Sequence, residues 1–382
     1  MTSAELTAAL VQLDSRNPSL VPGAPGELQV ARFLADLLES WQFRVELQEV
    51  VSGRFNLIAR GGRSDPSAKS LMLNGHLDVV GVDGMTHSPF AADLADGNMY
   101  GRGSADMKSG VAAMCIAARN AIESGIDGEV IITAVIDEEY ESLGTRALLA
   151  SGLRADAAII TEPTRLALCP AHRGFVWARL DVRGRAAHGS RYDLGVDAIT
   201  HAALIIAELD RIQRTTLPHR THPLLGRGSL HASLIAGGTG LSTYPDLCTV
   251  EMERRTLPGE TERTFLDEIS AAMAMVRNAH PDLHVDVSIT TSQRASDVSR
   301  DAPVMLEMVD ALQAERLPAR IEGMSAWTDA ALLNEAGVPA ICFGPGDIAL
   351  AHSATEFVPI AEIDAATRVL GRFIRKWCNS KR

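Results

Sequence analysis

The sequence predicts an α/β fold, in which a mostly parallel sheet flanked by helices is interrupted by an inserted α+β sandwich. Three observations predict it. Four short apolar runs, Leu71–Asn74, Glu129–Ile136, Asp156–Ile160 and Val338–Phe343, lack the alternation of a half-exposed strand and are interspersed with helical patterns, as in a buried parallel sheet. Between 175 and 292 the pattern changes to alternating strands with two strongly amphipathic helices, which suits one covered sheet face. Finally, 382 residues exceed what one hydrophobic core usually serves. The expected division is 1–174 and 293–382 for the larger domain and 175–292 for the insertion.

In chain order, Leu28, Val30, Ala31, Leu34, Leu37 and Leu38 recur at helical spacing within Glu27–Trp41. Val45–Val51 and Asn56–Arg60 read as strands, with a Gly-Gly-Arg-Ser-Asp-Pro-Ser turn at 61–67. The strand at Leu71 runs into Gly75-His76-Leu77-Asp78. After the Gly-rich stretch Tyr100–Gly110 a helix is expected from about Met107 to Glu123. The run Val130–Ile136 breaks into Asp137, Glu138 and Glu139, and Gly144–Ser151 forms a short helix. Asp156–Ile160 ends in Thr161-Glu162-Pro163, where Pro163 biases Glu162 to an extended backbone. In the insertion, Phe175–Arg183, Leu230–Ile235, Cys248–Arg254 and His284–Thr290 alternate as strands, while Val196–Ile212 and Thr264–Asn278 are helical. Helices at Met305–Gln313, Asp329–Ala336 and Ile363–Trp377 and a strand at Val338–Phe343 complete the chain.

The formal net charge of −12 argues against nucleic acid or an anionic membrane as the main partner, though not against a small anion met by local arginines. No apolar run is long enough to span a bilayer, and Met1–Leu6 shows no basic or apolar leader. Five scattered cysteines without Cys-x-x-Cys spacing suit a reducing interior, so a cytoplasmic protein is expected. The glycines of 101–110 fit neither phosphate-binding fingerprint.

His76, Glu138, Glu139, Glu162 and His352 each follow a predicted buried strand, and Asp106 opens a helix. Taken singly these are ordinary residues: Asp106 is a natural helix N-cap, and an acidic triplet is usually the solvated start of a loop. Together they change meaning, because open α/β sheets bind ligands beyond the carboxyl ends of their strands. Two histidines with several carboxylates and no cysteine suit Zn²⁺, with Co²⁺ or Mn²⁺ possible. With one ligand counted from the Glu138–Glu139 pair, five candidate ligands exceed the three of a single catalytic zinc, and a carboxylate shared by two ions accounts for the surplus. The adjacent Glu138–Glu139 pair then supplies one ligand and one general base, and Asp78 is placed to orient His76.

His76-Leu-Asp78, Gly103-Ser-Ala-Asp106-Met-Lys-Ser-Gly110, Asp137-Glu-Glu139, Thr161-Glu-Pro-Thr164 and Ala351-His352-Ser353 resemble, in order, the motifs of one family. It is the acetylornithine deacetylase/succinyl-diaminopimelate desuccinylase family, a branch of the co-catalytic zinc peptidases that includes aminoacylases, dipeptidases and glutamate carboxypeptidases. The resemblance implies two Zn²⁺ ions per chain, one on His76, Asp106 and Glu162, the other on Asp106, Glu139 and His352. It implies that Glu138 is the base, that Asp78 holds His76, and that the Asp106–Met107 peptide is cis. It further implies that 175–292 is a lid or dimerisation domain, that the protein is a homodimer, and that His188 in Gly184-Arg-Ala-Ala-His188 steadies the tetrahedral intermediate across it. Arg255, in preference to Arg254, matches the arginine that binds a substrate carboxylate. Gly238 and Thr239 fall in the family's Gly-rich substrate loop, where this chain departs by carrying Gly240-Leu-Ser-Thr instead of Asn after Gly-Gly-Thr. The activity implied is deacylation of an N-acyl amino acid, with a dipeptidase or carboxypeptidase on the same scaffold as the alternative. A binding protein on this scaffold would show a lost ligand or base, and none is lost.

Overall fold

The computed structural model describes all residues, 1–382. They divide into two compact units, one formed by Met1–Pro170, Val298–Glu322 and Thr328–Arg382, the other by Ala171–Asp297 and Gly323–Trp327.

The first unit is built on a sheet with strand order Arg44–Val51, Arg54–Gly62, Glu129–Val135, Leu71–His76, Ala157–Ile160, Ala340–Cys342 and Leu168–His172. The four strands from Glu129–Val135 to Ala340–Cys342 are parallel, with His76 opposite Val135 and Asn74 opposite Ile160. Their buried runs explain why the sequence shows no alternation there: helices cover both faces, so every side chain must be apolar or paired. The outer strand Arg44–Val51 pairs antiparallel and is largely exposed, as an edge can be.

Helices Ser109–Glu123 and Ile360–Cys378 carry the core, with Val111, Met114, Cys115, Val369, Phe373, Ile374 and Trp377 buried. Each large apolar side chain so placed contributes about 1.5–3 kcal/mol. Gly110 sets how closely the first of these helices lies on the sheet, because a Cβ there would come within 1.9 Å of the Thr161 carbonyl oxygen.

The expected elements form, with instructive differences. The helix anticipated from about Met107 is regular only from Ser109, because Asp106 and Met107 have non-helical backbone angles and the peptide between them is cis. Helix Ser3–Val11 was not anticipated, yet its signal is in the sequence: Thr2 and Glu5 form a reciprocal capping box. Strand Leu168–His172 was also missed, since Pro170 lacks an N–H and demotes the run; its pairing with Ala340–Cys342 is confined to Cys169 opposite Cys342.

The second unit is a four-stranded antiparallel sheet, ordered Ser229–Gly237, Leu247–Thr256, Gly174–Arg183 and His284–Gln293. Helices Ala198–Thr215 and Glu262–Ala279 cover one face. Val176, Ala178, Leu180 and Val182 point into the same core as Ile205, Leu209, Phe265 and Ile269. The strict alternation along Gly174–Arg183 is the mark of that single covered face. No helix in the chain is long and apolar enough to cross a membrane.

Candidate metal centre

Three neighbouring parallel strands deliver the site residues from their carboxyl ends. His76 is the last residue of its strand, Glu162 lies two residues past Ile160, and Glu138 and Glu139 follow the strand ending at Val135. The chain turns sharply between Val135 and the two glutamates because Asp137 takes a left-handed conformation, φ 66°. Its carbonyl accepts from the backbone N–H groups of Tyr140, Glu141 and Ser142. Its carboxylate is held by Arg54 Nη1 at 3.0 Å and by Asn17 Nδ2 at 3.0 Å.

Ligand atoms of His76, Asp106 and Glu162 lie within 4.8 Å of one another, and so do those of Asp106, Glu139 and His352. Asp106 faces both groups with different oxygens: Oδ1 is 3.1 Å from His76 Nε2, and Oδ2 is 3.6 Å from His352 Nε2. His352 Nε2 is also 2.9 Å from Glu139 Oε2. Glu138 belongs to neither group.

Asp78 organises this arrangement from behind. Its backbone carbonyl is 2.9 Å from His76 Nδ1, which fixes that nitrogen as the protonated one and leaves Nε2 with its lone pair toward Asp106. Its two carboxylate oxygens each accept a backbone N–H, from Glu138 and Glu139, at 3.2 Å. Thus the Asp78 carboxylate, expected to orient His76, lies 3.7 Å from His76 Nδ1 and instead sets the positions of both glutamates, while the backbone carbonyl of the same residue holds the imidazole.

The electrostatics show why positive charge belongs here. Burial pushes Glu138 and Glu162 well above the ordinary carboxylate range, and the neighbouring carboxylates Glu162 and Asp106, respectively, push further. Burial also raises Glu139, with Asp106 beside it. Asp106 is held low despite its burial by the neighbouring imidazoles of His352 and His76. Reciprocally, Asp106 and Glu139 beside it raise His352 to about 10. Four carboxylates crowded round two imidazoles suit divalent cations, and an all-nitrogen-and-oxygen donor set suits a borderline or hard ion. The residues present therefore fit a pair of metal ions sharing Asp106.

Several contributors were not anticipated. Glu356 is fully buried, and its Oε1 accepts the N–H groups of Ala105 and Asp106 at 3.0 and 3.1 Å. Its Oε2 pairs with Arg102 Nη1 at 2.6 Å. Asn17 joins Asp78 to Asp137, and Arg54 joins Asp137 to Glu27. Arg102 between two glycines was the only sequence hint, since pairing partners so distant along the chain leave no local pattern.

The remaining candidates lie in the second unit. His188 is exposed, and its Nδ1 accepts the backbone N–H of Ser190, so a neutral ring carries its proton on Nε2 as a free donor. Gly238, at φ 82°, and Thr239 lie in the exposed loop between Ser229–Gly237 and Leu247–Thr256. Arg254 is buried and locked to Glu268 and Glu260, at 3.0 and 2.9 Å. Arg255 is partly exposed, stacked 5.2 Å above the Phe175 ring and 2.8 Å from Glu253. Of the two arginines, only Arg255 keeps an accessible face.

A sequence model of peptidase family M20/M25/M40 matches residues 72–376, which includes every residue of both metal-ligand groups. The chain belongs to this family. Acetylornithine deacetylase of Myxococcus xanthus is 29% identical over 387 residues, covering 100% of this chain and 97% of the relative, which bears out the resemblance drawn from the motifs. A tripeptidase from Staphylococcus aureus shares the fold with a TM-score of 0.82 at 20% identity, covering 99% of this chain and 98% of that one. A dinuclear metal-binding peptidase of the family from Bacillus subtilis does so at 0.74 and 16% identity, covering 98% and 97%. This M20 chain is a hydrolytic enzyme that cleaves amide bonds in a metal-dependent reaction.

Proposed function

We propose that this enzyme removes the acyl group from an N-acyl amino acid, in the manner of acetylornithine deacetylase or succinyl-diaminopimelate desuccinylase, with two Zn²⁺ ions. The observation that carries the two-ion reading is Asp106, whose two oxygens face two separate ligand groups while Glu138 stays outside both. His76, Asp106 and Glu162 would hold one ion, and Asp106, Glu139 and His352 the other. When bound, the ions supply an acidified water and a Lewis acid for the scissile carbonyl.

The chain's own residues do the rest. Glu138 takes the proton from the attacking water and passes it to the leaving amine, a task suited to a carboxyl whose burial raises its proton affinity. Asp78 keeps Glu138 and Glu139 in place through their backbone N–H groups. His188, with Nε2–H free, donates to the developing oxyanion. Arg255 holds the substrate carboxylate, and Gly238 and Thr239 line its approach. The second unit serves as the lid or dimerisation domain of a cytoplasmic homodimer.

The test joins metal counting to substrate profiling. Purified protein is assayed on N-acetyl and N-succinyl amino acids beside dipeptides and tripeptides, with metal content measured for wild type and Asp106→Ala. About two ions per chain more in wild type than in Asp106→Ala, lost together with deacylation, is the expected result. Turnover confined to peptides would replace the deacylase by a dipeptidase or carboxypeptidase.

A further inference from the structure

We propose that His201, His280 and Asp282, in the second unit, form a further metal site that takes one first-row divalent ion of the Zn²⁺ class. One ligand atom from each lies within 4.8 Å of the others. His201 stands in the first turns of helix Ala198–Thr215, His280 caps the end of helix Glu262–Ala279, and Asp282 follows Pro281 in the loop beyond it.

Two observations set this cluster apart from a chance meeting of side chains. His201 is buried, 4% exposed, and its Nδ1 has no hydrogen-bond partner. Its Nε2 is 3.8 Å from Asp282 Oδ1, beyond hydrogen-bonding range. Nε2 is the ring nitrogen turned toward Asp282, and at 3.8 Å it makes no hydrogen bond to that carboxylate that a metal ion would have to displace. Second, the His201 and His280 rings meet edge to face with centroids 5.1 Å apart, so two imidazoles and a carboxylate converge from two segments, the first turns of one helix and the end of the other with the loop beyond it.

The donor set, two imidazoles and one carboxylate, is that of a tetrahedral zinc site with one position left for water. Ligands about 2.0–2.1 Å from such an ion stand roughly 3.3 Å apart, so the 3.8 Å gap needs only a small closure. The C-terminal end of helix Glu262–Ala279 adds partial negative charge beside His280, which favours a cation. The ion would tie the start of one helix to the end of the other across the same core, a structural clamp and no part of the hydrolysis.

The test uses full-length protein, stripped with a chelator, reloaded with Zn²⁺ and desalted before elemental analysis. Wild type is expected to carry one ion per chain more than His280→Ala, with equal hydrolytic activity in the two. Asp106→Ala is expected to keep one ion that Asp106→Ala/His280→Ala lacks. Equal metal content in wild type and His280→Ala overturns the proposal, as does an ion retained equally by Asp106→Ala and the double variant, which would mark adventitious binding. Because each comparison differs only at His280, it holds whether or not Asp106 bridges two ions.

Discussion

Replacing Glu356 should destabilise the protein strongly although it is not among the proposed metal ligands. Its carboxylate is fully buried against Arg102, itself 3% exposed, and it accepts the N–H groups that fix Ala105 and Asp106. Glu356→Ala would strand a guanidinium and two backbone donors in the interior. Breaking a buried ion pair from one side costs roughly 3–5 kcal/mol, and the unpaired N–H groups push the loss toward the upper end. Arg102 keeps some relief, since it also donates to the Gly81 carbonyl at 3.0 Å. Glu356→Gln retains an acceptor but not the charge, so its loss should be nearer 1.5–3 kcal/mol, an order-of-magnitude figure for hydrogen bonds to charged groups. The paired variant Arg102→Met/Glu356→Met should be much less unstable than the sum of its two single changes, because no lone charge remains. Urea unfolding at fixed pH measures all five variants, and metal content of the folded fraction reports whether Asp106 has moved. A Glu356→Ala protein within about 1 kcal/mol of wild type, or strict additivity in the pair, would refute the reasoning.

Other outcomes follow from single residues. Glu138→Gln should retain metal yet lose about 10²–10⁴-fold in turnover, and near-normal activity would remove Glu138 from the role of base. Burial lowers His172 to about 4, so its folded form resists a proton that the unfolded chain accepts from about pH 6.5 downward. It costs no stability at neutral pH, and up to about 3 kcal/mol should be lost as pH falls from 6.5 toward 4. In His172→Phe that part of the acid loss should vanish from unfolding curves, and an unchanged pH profile would exclude the buried imidazole as its source. Gly110→Ala should lower stability by several kcal/mol, because its Cβ would meet the Thr161 carbonyl and push the helix from the strand that leads to Glu162; thermal denaturation equal to wild type would contradict that close approach.

The placement of the candidate ligand residues was legible because it rests on local regularities. A buried parallel strand must be apolar throughout, so the abrupt appearance of His76, of Glu138 and Glu139, or of Glu162 at its end marks a side chain aimed beyond the sheet. Parallel pairing then brings those ends together without further information. Alternation along Gly174–Arg183 likewise announced a sheet with one covered face. The missed helix Ser3–Val11 was also written locally, in its capping box, whereas strand Leu168–His172 was hidden by Pro170.

What the sequence determined by itself, then, is the class of fold and the set of groups that can reach the site, since both follow from periodicity and strand ends. Only the tertiary structure decided which oxygen of Asp106 faces which histidine, that Asp78 grips the backbone of both glutamates, and that Glu356, Asn17 and Arg54 stand behind them. It alone separated buried Arg254 from accessible Arg255, and brought Gly323–Trp327 into the second unit. The physical reason is range. Hydrophobic period and turn chemistry act between neighbours in the chain, whereas buried charge is compensated by whichever partner the fold brings within a few ångströms. For Glu356 that partner is Arg102, 254 residues away.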